Sequence, residues 1–194
     1  MKRWKTLFGA VALSAACVPA WAVPTLSFTS PGSVPPGSFV GVDVVISDVS
    51  DLYAYNFSIT FDPKVVDVGG VSQQGFLSSA GPTFGTTGEI DNSTGIISFA
   101  GYTLVGPQAG ASGSGSLLHI TFNALANGVS SLNFSDLVFL DSNLNDIAVT
   151  ANPGSVTIST IDVPEPGSWM LVGIGAVAAA ALRRRTGARC AACA

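Results

Sequence analysis

Alternation with a period of two runs through the middle of the chain. From Phe39 to Ile46, Val40, Val42, Val44 and Ile46 share one face, and Phe39, Gly41, Asp43 and Val45 the other. That spacing predicts a strand with one face in a core. From Tyr53 to Phe61 the same rhythm sets Tyr53, Tyr55, Phe57, Ile59 and Phe61 against Ala54, Asn56, Ser58 and Thr60. Further strands are expected at Ile96–Leu104, from Leu117 to Leu125 and from Ser155 to Ser159. Turn clusters separate them, among them Asp62-Pro63-Lys64, Asp91-Asn92-Ser93-Thr94-Gly95 and Asp141-Ser142-Asn143. With no sustained helical periodicity between these strands, the expectation is an all-β fold of two antiparallel sheets packed face to face.

The aromatic stripe of Tyr53, Tyr55, Phe57 and Phe61 has two readings, core packing or a platform on which sugars stack. Core packing is expected, because a domain of this size must bury its largest side chains. In the later strand Leu118, Ile120 and Phe122 point inward, which puts His119 with Leu117 and Thr121 on the solvated face.

The two ends follow a different pattern. Met1-Lys2-Arg3-Trp4-Lys5 is a basic start, an apolar run follows from Leu7 to Val18, and Ala20-Trp21-Ala22 forms a small-x-small cleavage signal. Residues 1–22 are thus expected to be a signal peptide cut after Ala22, leaving Val23 first. Cys17 inside the apolar run suggests a lipoprotein alternative, but Leu13 lies one place too far from it. At the other end stand Pro164-Glu165-Pro166, an apolar run bounded by Trp169 and Leu182, and Arg183-Arg184-Arg185. About 14 residues in a helix span roughly 21 Å, a marginal transmembrane anchor. The arginines hold their end in the cytoplasm, and Trp169 suits the opposite interface. Pro164 and Pro166 keep the preceding segment extended and accessible outside the membrane. The chain therefore divides into a signal peptide (1–22), one domain (23–161), a sorting segment (162–186) and a disordered tail (187–194).

Charge is concentrated in the same way. Between Val23 and Asp162, Lys64 alone opposes ten Asp and Glu89, a net charge of −10. Nucleic acid is excluded as a partner, since phosphate contacts need Lys and Arg. The domain has no cysteine, so its stability must come from a core rather than disulfides. Cys190 and Cys193 have metal-ligand spacing without a second pair.

Three stretches carry a family likeness. Val42 to Ile46 leads through Asp51 to Val68, a strand-turn-strand passage that ends in the aromatic-Asp-Pro turn Phe61-Asp62-Pro63. Gly113-Ser114-Gly115-Ser116 enters a strand ending near Phe122, and Gly154-Ser155-Val156-Thr157-Ile158 closes the domain. Taken in order, these resemble the cohesin family. The resemblance implies a nine-stranded jelly-roll β-sandwich with a binding role. The tail closely resembles the PEP-CTERM sorting signal of Gram-negative bacteria, which implies transient handling by a membrane-embedded exosortase.

Catalytic chemistry is sparse. A Ser-His-Asp set would depend on His119, and a carboxylate pair on Glu89 with Asp91 or Asp62 with Asp67. No enzyme is expected. No cofactor is expected either, although Asp141-Ser142-Asn143-Leu144-Asn145-Asp146 begins like a calcium loop. Asp146 stands where that loop needs Gly, and Asn152 where it needs the bidentate Glu. Weak calcium binding near Asp141 is the alternative to a polar turn. The leading expectation is an exported envelope or exopolysaccharide-matrix module that binds polysaccharide. The alternative is a scaffold domain for a dockerin-like protein.

Overall fold

A computed structural model describes residues 23–29 and 31–160. In chain order the strands are β1 (Thr25–Phe28), β2 (Ser33–Val34), β3 (Phe39–Leu52), β4 (Ala54–Thr60), β5 (Val66–Gln73) and, after a single-turn helix α1 (Gly75–Ser78), β6 (Thr83–Thr86). They continue with β7 (Glu89–Asp91), β8 (Ile96–Leu104), β9 (Ala111–Ala124), β10 (Gly128–Leu140), β11 (Thr150–Ala151) and β12 (Gly154–Ile158). One sheet runs β11-β1-β3-β9-β5. The other runs β2-β12-β10-β4-β8-β6, with β7 also paired to β8.

The fold is the expected all-β sandwich, with two differences. Among the described residues there are twelve strands rather than nine, because β2, β7 and β11 are extra pieces of two or three residues. Pairing is also not wholly antiparallel: β1 with β11 and β12 with β2 run parallel. Those partners lie far apart in sequence, so the chain has ample length for the crossover that parallel pairing requires.

The layer between the sheets holds the faces that alternation assigned inward. Val40, Val42, Val44 and Ile46 of β3 are buried in one core with Phe57 and Ile59 of β4. The aromatic stripe is core: Tyr55, Phe57 and Phe61 are buried and Tyr53 packs half-buried against them. Phe57 stands edge-on to Phe134 and stacks with Phe139, while Phe61 meets Phe122 edge-on across the sandwich. Burying each such ring contributes roughly 2–3 kcal/mol. The phenol of Tyr55 donates to the Leu117 carbonyl in the opposite sheet at 3.2 Å. Burial pushes that phenol far above its usual pKa.

Leu117 corrects the expected facing of β9. Alternation placed it outside with His119, yet it is fully buried. The register between β3 and β9 shifts between Val44 and Val45, which pair with Leu118 and Ser116. The resulting bulge turns Leu117 inward beside Leu118.

The hairpin joining β7 to β8 shows why its turn cluster has that composition. The Asp91 carboxylate accepts from the Ser93 N–H at 2.9 Å and the Ser93 hydroxyl at 2.6 Å. Gly95 closes the turn at φ +74°, where a Cβ would lie 2.2 Å from the Phe61 carbonyl oxygen. Only glycine fits there.

The sorting motif Pro164, Glu165, Pro166, the anchor from Trp169 to Leu182 with Arg183, Arg184 and Arg185, and the cleavage residues Ala20 and Ala22 all lie outside the described residues. Among the described residues, no helix is long and apolar enough to cross a membrane.

Candidate functional site

The outer surfaces of the two sheets differ in chemistry. Apart from Phe39, 77% exposed at the start of β3, that of β3-β9-β5 is largely polar. His119 Nδ1 lies 2.6 Å from Asp43 Oδ1, and the Asn123 amide donates to Asp67 at 2.5 Å. The His119 ring lies over Gly41, where a Cβ would come within 2.7 Å of it.

Register brings Ser72, His119 and Asp43 side by side on three neighbouring strands, an order that invites a triad reading. The geometry does not complete it. His119 engages β3, while the Ser72 hydroxyl, on β5, accepts from the Gln74 amide at 3.4 Å. Three of the four carboxylates considered for glycoside chemistry are likewise tied into local structure, Glu89 being the exposed exception. Asp62 accepts the Lys64 N–H at 2.9 Å, Asp91 caps its own turn and Asp67 is held by Asn123.

The loop at Asp141 is built in the same way. The Asp141 carboxylate accepts the backbone N–H groups of Asn143 and Asn145 at 2.8 and 2.9 Å and the Asn145 amide at 3.0 Å. Asn145 holds its pKa below the usual carboxylate value, chiefly through its side chain and then its backbone N–H. Asp51 is lowered first by the Ser142 hydroxyl at 2.6 Å and then by the Gly110 N–H at 2.6 Å. These oxygens therefore fasten the β10 turn to β3. Among the described residues, no group of three or more His, Cys, Asp and Glu side chains is arranged to hold a metal ion.

Across the molecule, the face of β10-β4-β8-β6 exposes apolar side chains instead. Phe84, Thr103, Ala54 and Leu140 form one cross-strand row, and Thr86, Gly101, Asn56 and Val138 the next. Beyond them three neighbouring strands are irregular at one level. Register shifts between Ser135 and Val138 on β10, and between Phe57 and Ile59 where β4 meets β8. At this level Phe99 takes φ +55° and Asp136 φ +53°. A left-handed backbone is unusual for a bulky aromatic and costs of order 1–3 kcal/mol. The Ser58 hydroxyl, buried in the bulge, accepts the Phe99 N–H at 3.2 Å.

The effect is to turn Phe99 outward, 62% exposed, on the same face as Phe84 at 74%. Leu137 and Val138 add exposed apolar surface on β10. At one end the face sinks into an open hollow of about 380 Å³ lined by Thr60, Pro63, Val129, Ser131 and Asn133. Alternation did not reveal this surface, because Phe99 and Leu137 lie out of phase with their strands. An apolar residue that breaks the period of two was the available signal.

Comparison with known proteins identifies the fold and the family. The sequence profile of the cohesin domain matches residues 24–158, and that of the PEP-CTERM protein-sorting motif matches 162–185. Among curated proteins none matches the chain. A non-cellulosomal cohesin from Archaeoglobus fulgidus is 21% identical with a TM-score of 0.57, over 73% of this chain and 94% of that one. The third ScaC cohesin of Acetivibrio cellulolyticus, solved with the ScaB dockerin, is 18% identical with a TM-score of 0.59, over 71% and 100%. A cohesin module from a Clostridium perfringens family 33 glycoside hydrolase is 11% identical at 0.58, over 71% and 97%. The sorting motif marks an exported, membrane-anchored precursor. The domain it carries belongs to the cohesin family.

Proposed function

We propose that this protein is an exported scaffold module whose β10-β4-β8-β6 face docks a dockerin-like protein. The observation that carries the reading is the bulge level, where a strained backbone turns Phe99 into solvent. Strained conformations persist where the surrounding structure over-determines them, and they concentrate at binding sites. Large aromatics are enriched among the residues of protein contact surfaces. Similar solved cohesins are found in complex with dockerins. The net charge of −10 favours a partner with a basic contact surface.

The polysaccharide reading now ranks second. The aromatic stripe that would have supplied a stacking platform is occupied by the core. Titration against each dockerin-like module encoded by the producing bacterium, alongside a glycan array, tests the choice. The expected result is a dockerin-like ligand whose affinity falls at least about tenfold in Phe99→Ala and Phe84→Ala, the scale of an interface anchor. Glycan binding without any protein ligand, or a protein ligand indifferent to both variants, overturns it.

A further inference from the structure

The two ends of the sandwich differ in chemistry, and the chain leaves the domain at the less acidic one. Ile158, the last residue of β12, pairs with Gly128 of β10 and Val34 of β2, and the Ser159 hydroxyl lies 2.6 Å from that of Ser33. Three turns gather at this end. The Gly37 N–H donates to the Ala124 carbonyl at 2.8 Å, the Leu125 N–H to that of Val65 at 2.9 Å, and the Asp62 N–H to the Ser130 hydroxyl at 2.9 Å. Exposed apolar side chains rim it on both sheets. Phe39, opposite Asn123, and Leu125, two residues further along, continue the outer surface of the five-stranded sheet, while Val129, opposite Thr157, stands on the other. Lys64, the only Lys or Arg between Val23 and Asp162, is exposed in the β4–β5 turn. The carboxylates of Asp62, Asp67 and Asp91 at this end each accept a local N–H. The far end, where β3 and β10 finish, carries Asp48, Asp51, Asp141 and Asp146 with no Lys or Arg.

We propose that this end of the domain rests on the lipid surface while the precursor is anchored. Nine residues, 160–168, separate Ser159 from Trp169, and they reach about 30 Å at full extension. Because the sorting match at 162–185 marks a membrane-anchored precursor, the exit end is confined close to lipid. β3 alone, with 14 residues, carries the acidic end up to about 45 Å further away. A tether this short gives the surface an effective concentration in the millimolar range. A contact too weak to hold free protein is then populated. Phe39, Leu125 and Val129 enter the boundary between headgroups and acyl chains, and Lys64 meets lipid phosphate. The contact keeps Pro164-Glu165-Pro166 at the membrane surface until cutting removes the tether, and with it the hold. The proposal rests on the anchored precursor and is independent of which partner the β10-β4-β8-β6 face takes.

The experiment uses the full chain from an exosortase-free host, reconstituted in vesicles of phosphatidylethanolamine and phosphatidylglycerol. Ser50→Lys supplies a reporter amine at the acidic end, where Ser50 is exposed. A membrane-impermeant acylating reagent is added, and mass spectrometry gives the rate at Lys64 relative to that at position 50 in the same molecules. Compared with protein cut free of its tail, anchoring should lower this ratio at least about threefold, which requires the end to spend about two-thirds of its time on lipid. Phe39→Ser, Leu125→Ser and Val129→Ser together should return the ratio to that of the released form. Leu125→Asp alone lies outside the strands and should act in the same direction, which covers a triple variant that does not fold. A ratio unchanged by anchoring overturns the proposal. So does a fall that survives in either folded variant, since nearness to the membrane without apolar contact would then account for it.

Discussion

The side-chain amide of Asn92 occupies the backbone of Val68 as a neighbouring strand would. Its Oδ1 accepts the Val68 N–H at 2.8 Å, and its Nδ2 donates to the Val68 carbonyl at 3.1 Å. Val68 lies on β5, the edge of the five-stranded sheet, whereas Asn92 follows β7 of the other. One residue thus links the sheets and blunts an edge where another chain could add. Asn92→Ala removes both bonds and leaves two backbone groups to find water, at a cost of about 2 kcal/mol. Urea denaturation measures that loss, and amide exchange at Val68 should quicken with it. A loss under about 0.5 kcal/mol would show that solvent replaces the amide without penalty.

Phe99 offers a test in which binding and stability separate. At φ +55°, glycine removes the steric penalty that the aromatic bears, while the exposed ring contributes little to the core. Phe99→Gly should therefore leave stability unchanged or raise it by up to about 1 kcal/mol, yet abolish measurable partner binding. Phe99→Ala keeps the backbone penalty and loses only the ring, so it should bind as poorly with no gain in stability. If Phe99→Gly unfolds more easily by over about 1 kcal/mol, the bulge is held by the ring's packing and the strain argument fails.

The same bulges explain what the sequence made legible. Alternation found β3 and β4 because those strands keep their period through most of the stretches that face the core, and β8 although Phe99 breaks its period. It missed β10, where Asn133, Ser135 and Asp136 interrupt the apolar positions and the register shifts after Ser135. It missed β5 as well, where Gly69 and Gly70 carry no side chain to mark a face and the register with β9 shifts after Val68. Leu117 was placed on the wrong face by one inserted residue. A bulge is a tertiary decision that leaves no local periodic trace. The candidate surface was hidden for that reason, since bulges create it. The turn clusters were legible because Asp91, Asp141 and Gly95 act within a few residues of themselves.

Three carboxylates, Asp91 and Asp141 in the turns and Asp51 near the end of β3, contribute to the response to acid. The hydroxyl and N–H of Ser93, with Thr94, hold Asp91 down at about 2. Asp51 and Asp141 are lowered by Ser142 with Gly110 and by Asn145, respectively. Each folded-state pKa lies below the unfolded value of about 3.9. Their contribution is therefore complete above about pH 4 and is lost as pH falls through the folded values. The urea midpoint should hold between about pH 7 and 5 as far as these groups decide it, then drop below about pH 4. Asp51→Asn should lower the midpoint near neutrality and make the acid decline shallower, because Asn keeps the left-handed backbone but does not titrate. An equally steep decline in that variant would remove Asp51 from the account.

Processing of the tail supplies the last prediction. The PEP-CTERM match at 162–185 covers the Pro164-Glu165-Pro166 segment, the apolar run and the three arginines together. A helix over the run from Trp169 to Leu182 would span roughly 21 Å, short of the ~30 Å hydrocarbon core, which would suit a temporary hold. Exosortase should cut near Pro164-Glu165-Pro166, and the released protein should lack Arg183, Arg184, Arg185, Arg189, Cys190 and Cys193. With the signal peptide's three basic residues also gone, net charge moves from −4 towards the −10 of the domain. Glu165→Ala should leave export intact, because the signal peptide is untouched, but should hold the precursor in the membrane, because the anchor remains and its recognition segment does not. Intact mass of the secreted form in an exosortase-positive host checks both statements. A mature species still ending at Ala194, or normal release of Glu165→Ala, would mean that the tail is not the sorting device its order of parts implies.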